Sequence, residues 1–142
     1  MNWPEHAESV LRAAGYKPGR ARAAVIEALG SEPCCLTAQE IHDRVRARRP
    51  RVGIASVYRA LEVLAGLGLV HKLELRSDGA HYEPAAASGD HHHHLVCGDC
   101  GRVEPFADDR LEQAIGKVSA QASFRIDGHD IVLRGVCEAC SA

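Results

Sequence analysis

Apolar positions recur at spacings of three and four through most of the first 66 residues, a periodicity that predicts helices. Ala7, Val10, Leu11 and Ala14 share one face of a helix over 5–14, interrupted by Gly15-Tyr16-Lys17-Pro18-Gly19. Val25, Ile26 and Leu29 mark a second helix over 20–29, which Ser31-Glu32-Pro33 ends. Thr37-Ala38-Gln39-Glu40 has the capping-box pattern, so a third helix should start there, run to about Arg48 and close at Arg49-Pro50-Arg51. From Gly53 to about Gly66, Ile54, Val57, Leu61 and Leu64 define a buried face. Ala55, Ser56, Arg59 and Glu62 fall opposite it, with Tyr58 at the edge.

The period then shortens. Val70–Leu75 and Ala80–Glu83 read as two strands joined by the hairpin signal Ser77-Asp78-Gly79. Helices followed by a hairpin in this order predict a winged helix-turn-helix over 1–84, an arrangement that serves either DNA contact or dimerisation. The small, polar run Ala85-Ala86-Ala87-Ser88-Gly89-Asp90 reads as a hinge. Beyond it, Leu95–Cys97 and Arg102–Phe106 resemble short strands, and Asp108-Asp109 can cap a helix to about Gln121 with Leu111, Ala114, Ile115 and Val118 inward. Phe124–Ile126, a turn at Asp127-Gly128, and His129–Gly135 complete a small α/β unit over 91–142. The expected class is α+β.

Charge changes the picture at one point. The net charge of −2 conceals a front half, 1–84, with 12 Lys/Arg against 10 Asp/Glu and a back half with 5 against 9. Within 12–51 the balance is 9 against 4, which suits a nucleic-acid surface. With 142 residues, 46% of them apolar, the chain can build one or two small cores. No apolar run reaches 18 residues, and Met1-Asn2-Trp3-Pro4-Glu5-His6 has no leader pattern, so a cytoplasmic protein without a membrane span is expected. In that reducing setting six cysteines argue for metal binding over disulfides.

The chemistry concentrates in one stretch, His91-His92-His93-His94-Leu95-Val96-Cys97-Gly98-Asp99-Cys100-Gly101. With Cys137-Glu138-Ala139-Cys140 it gives C-x2-C…C-x2-C, the spacing of a closed, four-thiolate tetrahedral zinc site with Cys97, Cys100, Cys137 and Cys140 as ligands. Such a site stabilises the fold and leaves no open position for catalysis. If 91–94 are extended, side chains alternate: His91 and His93 face one way, His92 and His94 the other. The run can then serve two further metal sites, each with a pair of imidazoles. The plainer reading is a His-rich loop that takes up metal adventitiously. His71, His81, Glu83, Glu112 and His129 are spare ligands, and Cys34-Cys35 are thiols or ligands on a helix approach. Two other classes fit part of this donor set: an electron-transfer protein with a four-cysteine iron knuckle, and, less well, a zinc hydrolase, which lacks any H-E-x-x-H pattern here.

Gly53-Ile54-Ala55-Ser56-Val57-Tyr58-Arg59-Ala60-Leu61, the His91–Gly101 stretch, and His129 with Gly135-Val136-Cys137-Glu138-Ala139-Cys140 together resemble the ferric uptake regulator family, in order and over nearly the whole chain. The resemblance implies no enzyme. It implies a homodimeric, metal-dependent repressor that binds a palindromic operator in double-stranded DNA, with a winged helix over 1–84 and a dimerisation domain over 91–142. By position, Ser56, Tyr58 and Arg59 match the recognition helix, and Lys17 and Arg22 match basic DNA-contacting residues. The four cysteines match the structural zinc ligands. His91, His93, Glu112 and His129 match a site within the dimerisation domain, while Glu83, His92 and His94 match the regulatory hinge site. That site's remaining ligand falls on Cys35, where iron sensors carry His, or on His71, where zinc sensors carry Asp. The linker lacks the Cys of many zinc sensors, and Pro105 replaces the Asp of peroxide sensors, against peroxide sensing. Fe(II) or Zn(II) is the expected signal, with Mn(II) as a further option.

Overall fold

The computed structural model describes residues 2–31, 34–76, 79–86 and 92–142. It divides into two compact units, Met1–Asp90 and His91–Ala142. Residues 87–90 of the expected hinge, and Ser77 and Asp78 of the expected turn, lie outside the described residues.

In the first unit, α1 (Trp3–Ala13), α2 (Arg20–Gly30), β1 (Leu36–Thr37), α3 (Ala38–Arg48), α4 (Ile54–Gly66), β2 (Val70–Arg76) and β3 (Gly79–Pro84) follow in order. α1 begins two residues before the expected start at residue 5, because Asn2 closes a capping box with Glu5: the Glu5 N–H donates to Asn2 Oδ1 at 3.0 Å and the Asn2 N–H to Glu5 Oε2 at 3.1 Å. The box expected at Thr37 and Glu40 is present in the same reciprocal form. Leu29, Leu36, Ile41, Val57, Leu61, Leu64 and neighbouring Val25 fill the core between the helices and one face of the sheet. Trp3 joins its edge and donates its indole N–H to the Leu69 carbonyl at 3.0 Å, tying α1 to the start of β2.

β3 lies between β1 and β2, antiparallel to both. The pairing Arg76↔Gly79 closes the hairpin where the sequence put it, and the register shifts between Leu73 and Arg76. The alternation along β3 sends Tyr82 into the helical core and His81 and Glu83 to the other face of the sheet. Helices α2–α4 with this β-hairpin form the winged helix that the order of elements predicts.

In the second unit, β4 (His93–Cys97) is central, with β5 (Val103–Phe106) antiparallel on one side and β6 (Val132–Gly135) parallel on the other. A parallel neighbour needs a crossover, and α5 (Asp109–Gln121) supplies it, capped by Asp108, whose Oδ1 accepts the Leu111 N–H at 3.0 Å. A single turn, α6 (Glu138–Ser141), follows β6. Two expectations are corrected here. Phe124–Ile126 forms no strand; only Val132–Gly135 finds a ladder, because β4 already pairs with β5 along its other edge. The face of α5 is not inward throughout: none of its residues is buried, and Val118 is 67% exposed. A three-stranded sheet this small covers only part of an amphipathic helix. Phe124, Ile126, Leu133 and Val136 are likewise exposed, so the unit presents considerable apolar surface in a single chain.

Candidate metal centres and recognition helix

The four paired cysteines converge. Their sulfurs all lie within 4.8 Å of one another, with Cys100 Sγ and Cys137 Sγ 3.8 Å apart. Two backbone turns achieve this. After β4 the chain reverses through Gly98–Gly101, with Gly101 in the left-handed region at φ 79°, and the Gly101 N–H donates to the Cys97 carbonyl. After β6, Cys137 stands at the start of α6 and the Cys140 N–H donates to the Cys137 carbonyl. The Gly98 N–H to Gly135 carbonyl bond at 2.8 Å locks the two turns together.

Backbone N–H groups also point at the sulfurs, as at 3.3 Å from Cys137 N to Cys97 Sγ. Those of Cys100 and Cys137 bring the Cys97 thiol down to about 6, against the opposing effect of burial. Cys140 is pushed up to about 12, first by its contacts with the thiols of Cys137 and Cys100 and then by burial. Cys97 is thus the ready thiolate of the set. A closed set of four sulfurs with N–H donors aimed at them fits Zn2+.

A second donor set surrounds Glu112 on α5. One carboxylate oxygen contacts His93 Nε2 at 2.6 Å and the other His129 Nε2 at 2.9 Å. The Ile131 N–H donates to His93 Nδ1 at 3.2 Å, which fixes the ring, and the His93 and His129 rings stand 5.2 Å apart. These three donors lie within 4.8 Å of one another and suit a borderline metal with N and O ligands. His91, expected in this set, lies outside the described residues.

His92 and His94 form their own pair in the same unit. The rings meet edge to face at 4.9 Å and their ligating nitrogens lie within 4.8 Å. His93 and His94, adjacent and both buried, serve different donor sets, as strand alternation requires.

In the first unit, Glu83 is only 5% exposed although carboxylates favour water, and Cys34 Sγ lies within 4.8 Å of its carboxylate. Cys34 Sγ and Cys35 Sγ are 3.5 Å apart. Contact with Cys34 pushes the Cys35 thiol up, and burial and the charges of Glu83 and Glu40 add to this. His71 pairs with Glu83 in the β2–β3 register but is exposed. Of the Cys34-Cys35 pair it is thus Cys34, and not the Cys35 matched to the regulatory set, whose sulfur the structure places within 4.8 Å of the Glu83 carboxylate.

α4 buries Val57, Ala60, Leu61 and Leu64 and turns Tyr58, half exposed, and Arg59 to solvent, with Ser56 half-buried beside them. Arg59 Nη2 donates to Ser56 Oγ at 3.0 Å, one turn earlier on the same face. Before and on α2, Arg22 donates to the Lys17 carbonyl and lies over the Tyr16 ring at 5.3 Å. They border a cleft of about 340 Å3 shared with Arg12, Arg20 and Arg49. Lys17, Arg22 and Arg49, the last from the basic stretch Arg44–Arg51, are expected phosphate contacts from the sequence, and the cleft adds Arg12 and Arg20 to them.

A winged helix with an exposed basic recognition face, joined to a unit with clustered metal donors, defines a metal-responsive DNA-binding regulator as a class. The chain matches the ferric uptake regulator family over residues 13–134. It is 32% identical over 133 residues to the ferric uptake regulation protein of Bacillus subtilis, covering 92% of this chain and 89% of that one. With the transcriptional regulator FurA of Mycobacterium bovis it shares 35% identity over 143 residues, covering 97% and 91%. Its fold superposes on the Helicobacter pylori ferric uptake regulator, whose structure reveals three functional metal binding sites, with a TM-score of 0.84 at 28% identity, covering 97% of this chain and 91% of that one. The protein belongs to the ferric uptake regulator family and is a metal-responsive transcriptional regulator. This membership leaves the electron-transfer and hydrolase readings without support. Among the described residues no helix is long and apolar enough to cross a membrane.

Proposed function

We propose that the protein is a homodimeric repressor of metal-homeostasis genes, acting in the cytoplasm without catalytic activity, that binds a palindromic operator when Fe(II) or Zn(II), or alternatively Mn(II), is available. The observation that carries this reading is the exposed Tyr58–Arg59 face of α4 in a unit that also holds a buried carboxylate, Glu83, beside a thiol. Arg59 and Tyr58 would read base edges, with Ser56 orienting the guanidinium. Lys17 and Arg22, with the arginines of the neighbouring cleft, would hold phosphates and set register. Cys97, Cys100, Cys137 and Cys140 would hold a structural zinc. His91, His93, Glu112 and His129 would form a further site inside the dimerisation domain.

Glu83, His92 and His94, with a further donor from Cys35 or His71, make up the proposed regulatory set. Bound metal would supply a multidentate link between donors that stand 9 residues apart across the 85–90 linker. Such a link favours one domain geometry only in proportion to its tighter binding in that geometry. The exposed apolar face of α5, with Phe124 and Val136, suits the contact with a second copy.

The test uses zinc-retaining protein titrated anaerobically with Zn(II), Fe(II) or Mn(II), with duplexes selected from a random pool and binding read by fluorescence anisotropy. Replacing His92 and His94 with Ala is expected to abolish the metal-dependent rise and leave the dimer folded. A rise that survives in the double variant would remove the hinge switch.

A further inference from the structure

We propose that Cys34 and Cys35 together form a sulfur chelate beside Glu83 and make the regulatory site selective for zinc over Fe(II) and Mn(II). The inference rests on the reading of Glu83 as a regulatory ligand and goes beyond it, since that reading takes at most one thiol and leaves the metal open.

Geometry carries the first part. Neighbouring side chains in an extended segment point to opposite faces, which keeps adjacent sulfurs apart. Here the chain bends at Cys34, just before β1 begins at Leu36, and both sulfurs come to one side with 3.5 Å between them. A tetrahedral zinc with Zn–S bonds of about 2.3 Å needs its sulfurs about 3.8 Å apart. The protein's own four-cysteine cluster shows that spacing, 3.8 Å between Cys100 and Cys137. A shift of a few tenths of an ångström would bring the vicinal pair to the same bite.

The surroundings carry the second part. Cys34 is buried yet does not belong to the cluster of apolar side chains that forms the core of its unit, so filling that core does not explain it. Its sulfur lies instead within 4.8 Å of the Glu83 carboxylate, itself 5% exposed. The β1–β3 register, with Leu36 opposite Tyr82 and Thr37 opposite His81, places Cys35 across from Glu83 when continued by one residue. The Cys34 sulfur and the Glu83 carboxylate thus meet, with the Cys35 sulfur 3.5 Å from that of Cys34 and placed toward Glu83 by the continued register.

Donor chemistry supplies the selectivity. Thiolates favour zinc and soft ions, whereas Mn(II) favours oxygen, and Fe(II) and Mn(II) stand below zinc in intrinsic affinity. Each thiol that becomes a ligand releases one proton to solvent, and no oxidant is required.

The experiment starts from protein that keeps one tightly held zinc per chain, verified before and after titration. Cobalt(II) added to this form should develop the intense near-ultraviolet absorption of a sulfur-to-metal charge transfer, and the Cys34→Ser/Cys35→Ser variant should bind cobalt without it. In competition with a fluorescent chelator, the variant should lose zinc affinity by at least the roughly 10–100-fold that follows loss of an outer-shell partner, while its Mn(II) affinity stays within a small factor. If the double variant fails to fold, as judged by circular dichroism, the two single serine variants are measured the same way. A charge-transfer band unchanged in the serine variants overturns the proposal, as does a fall in Mn(II) affinity equal to that for zinc. A product lighter by two hydrogens that no longer takes up cobalt would also overturn it, since the pair would then be a disulfide. The His92→Ala/His94→Ala protein separates the two readings. Metal-dependent DNA binding retained there, with the band lost in the serine variants, sinks the hinge switch and leaves the dithiol site standing. The converse pair of results sinks the dithiol alone.

Discussion

At Cys97, backbone geometry sets side-chain chemistry. N–H groups of the Cys100 and Cys137 turns face its sulfur and hold its thiol at about 6, while Cys140 is pushed up to about 12. The thiolate is the nucleophile, and a depressed thiol exists as thiolate at every pH above its own midpoint. In the reduced, zinc-free chain, alkylation of Cys97 should therefore rise with pH through a midpoint near 6, and Cys140 should stay slow through neutral pH. Mass mapping of iodoacetamide adducts checks this, and equal rates at all four positions would contradict it. The spacing of the four cysteines was legible in the sequence because a C-x-x-C turn is a local device. The convergence of Cys34 with Cys35 was not, since it depends on a bend at one residue and on the register of a strand almost fifty positions away.

Helix α3 declares itself at its start. The reciprocal bonds of Thr37 and Glu40 follow directly from residue types three apart. Thr37→Ala should cost about 1 kcal/mol by chemical denaturation, the usual value of an N-cap, without altering the fold. α1, α2 and α4 were readable from their buried stripes instead, since α2 and α4 start at glycines with no side-chain cap bond. α5 was harder to read. Its amphipathic stripe was plain in the sequence, but not that a three-stranded sheet would leave Val118 67% exposed. Strands depend on neighbours still more: 124–126 has strand-forming residues and no ladder, whereas Val132–Gly135 gains one from β4. Val118→Asp should leave the α5 helix formed, since the position is exposed, and shift the protein from dimer to monomer in sedimentation velocity. A dimer that persists would place the self-association surface elsewhere.

At the scale of the whole molecule, two units carry separable tasks. The first has the larger core and the recognition face; the second is poor in buried apolar residues and rich in metal donors. Small units with little core commonly draw part of their stability from a bound metal. Five consecutive residues of β4, His93–Cys97, include donors to three different sets, so one strand's pleat sorts the chemistry of the whole second unit.

The cysteine cluster also has a mechanical consequence. Zinc held by Cys97 and Cys140 would act as a staple across the intervening loop, which contains β5, α5 and β6. Pulled from its two ends in an optical trap, the zinc-loaded chain should withhold that loop from extension, and a chelator should release it. The gain would be about 43 residues at 3.3–3.6 Å each, on the order of 140 Å of contour length. The same staple would make the loop's unfolding invisible to force until the metal leaves, so the rupture force of the second unit becomes a readout of zinc occupancy.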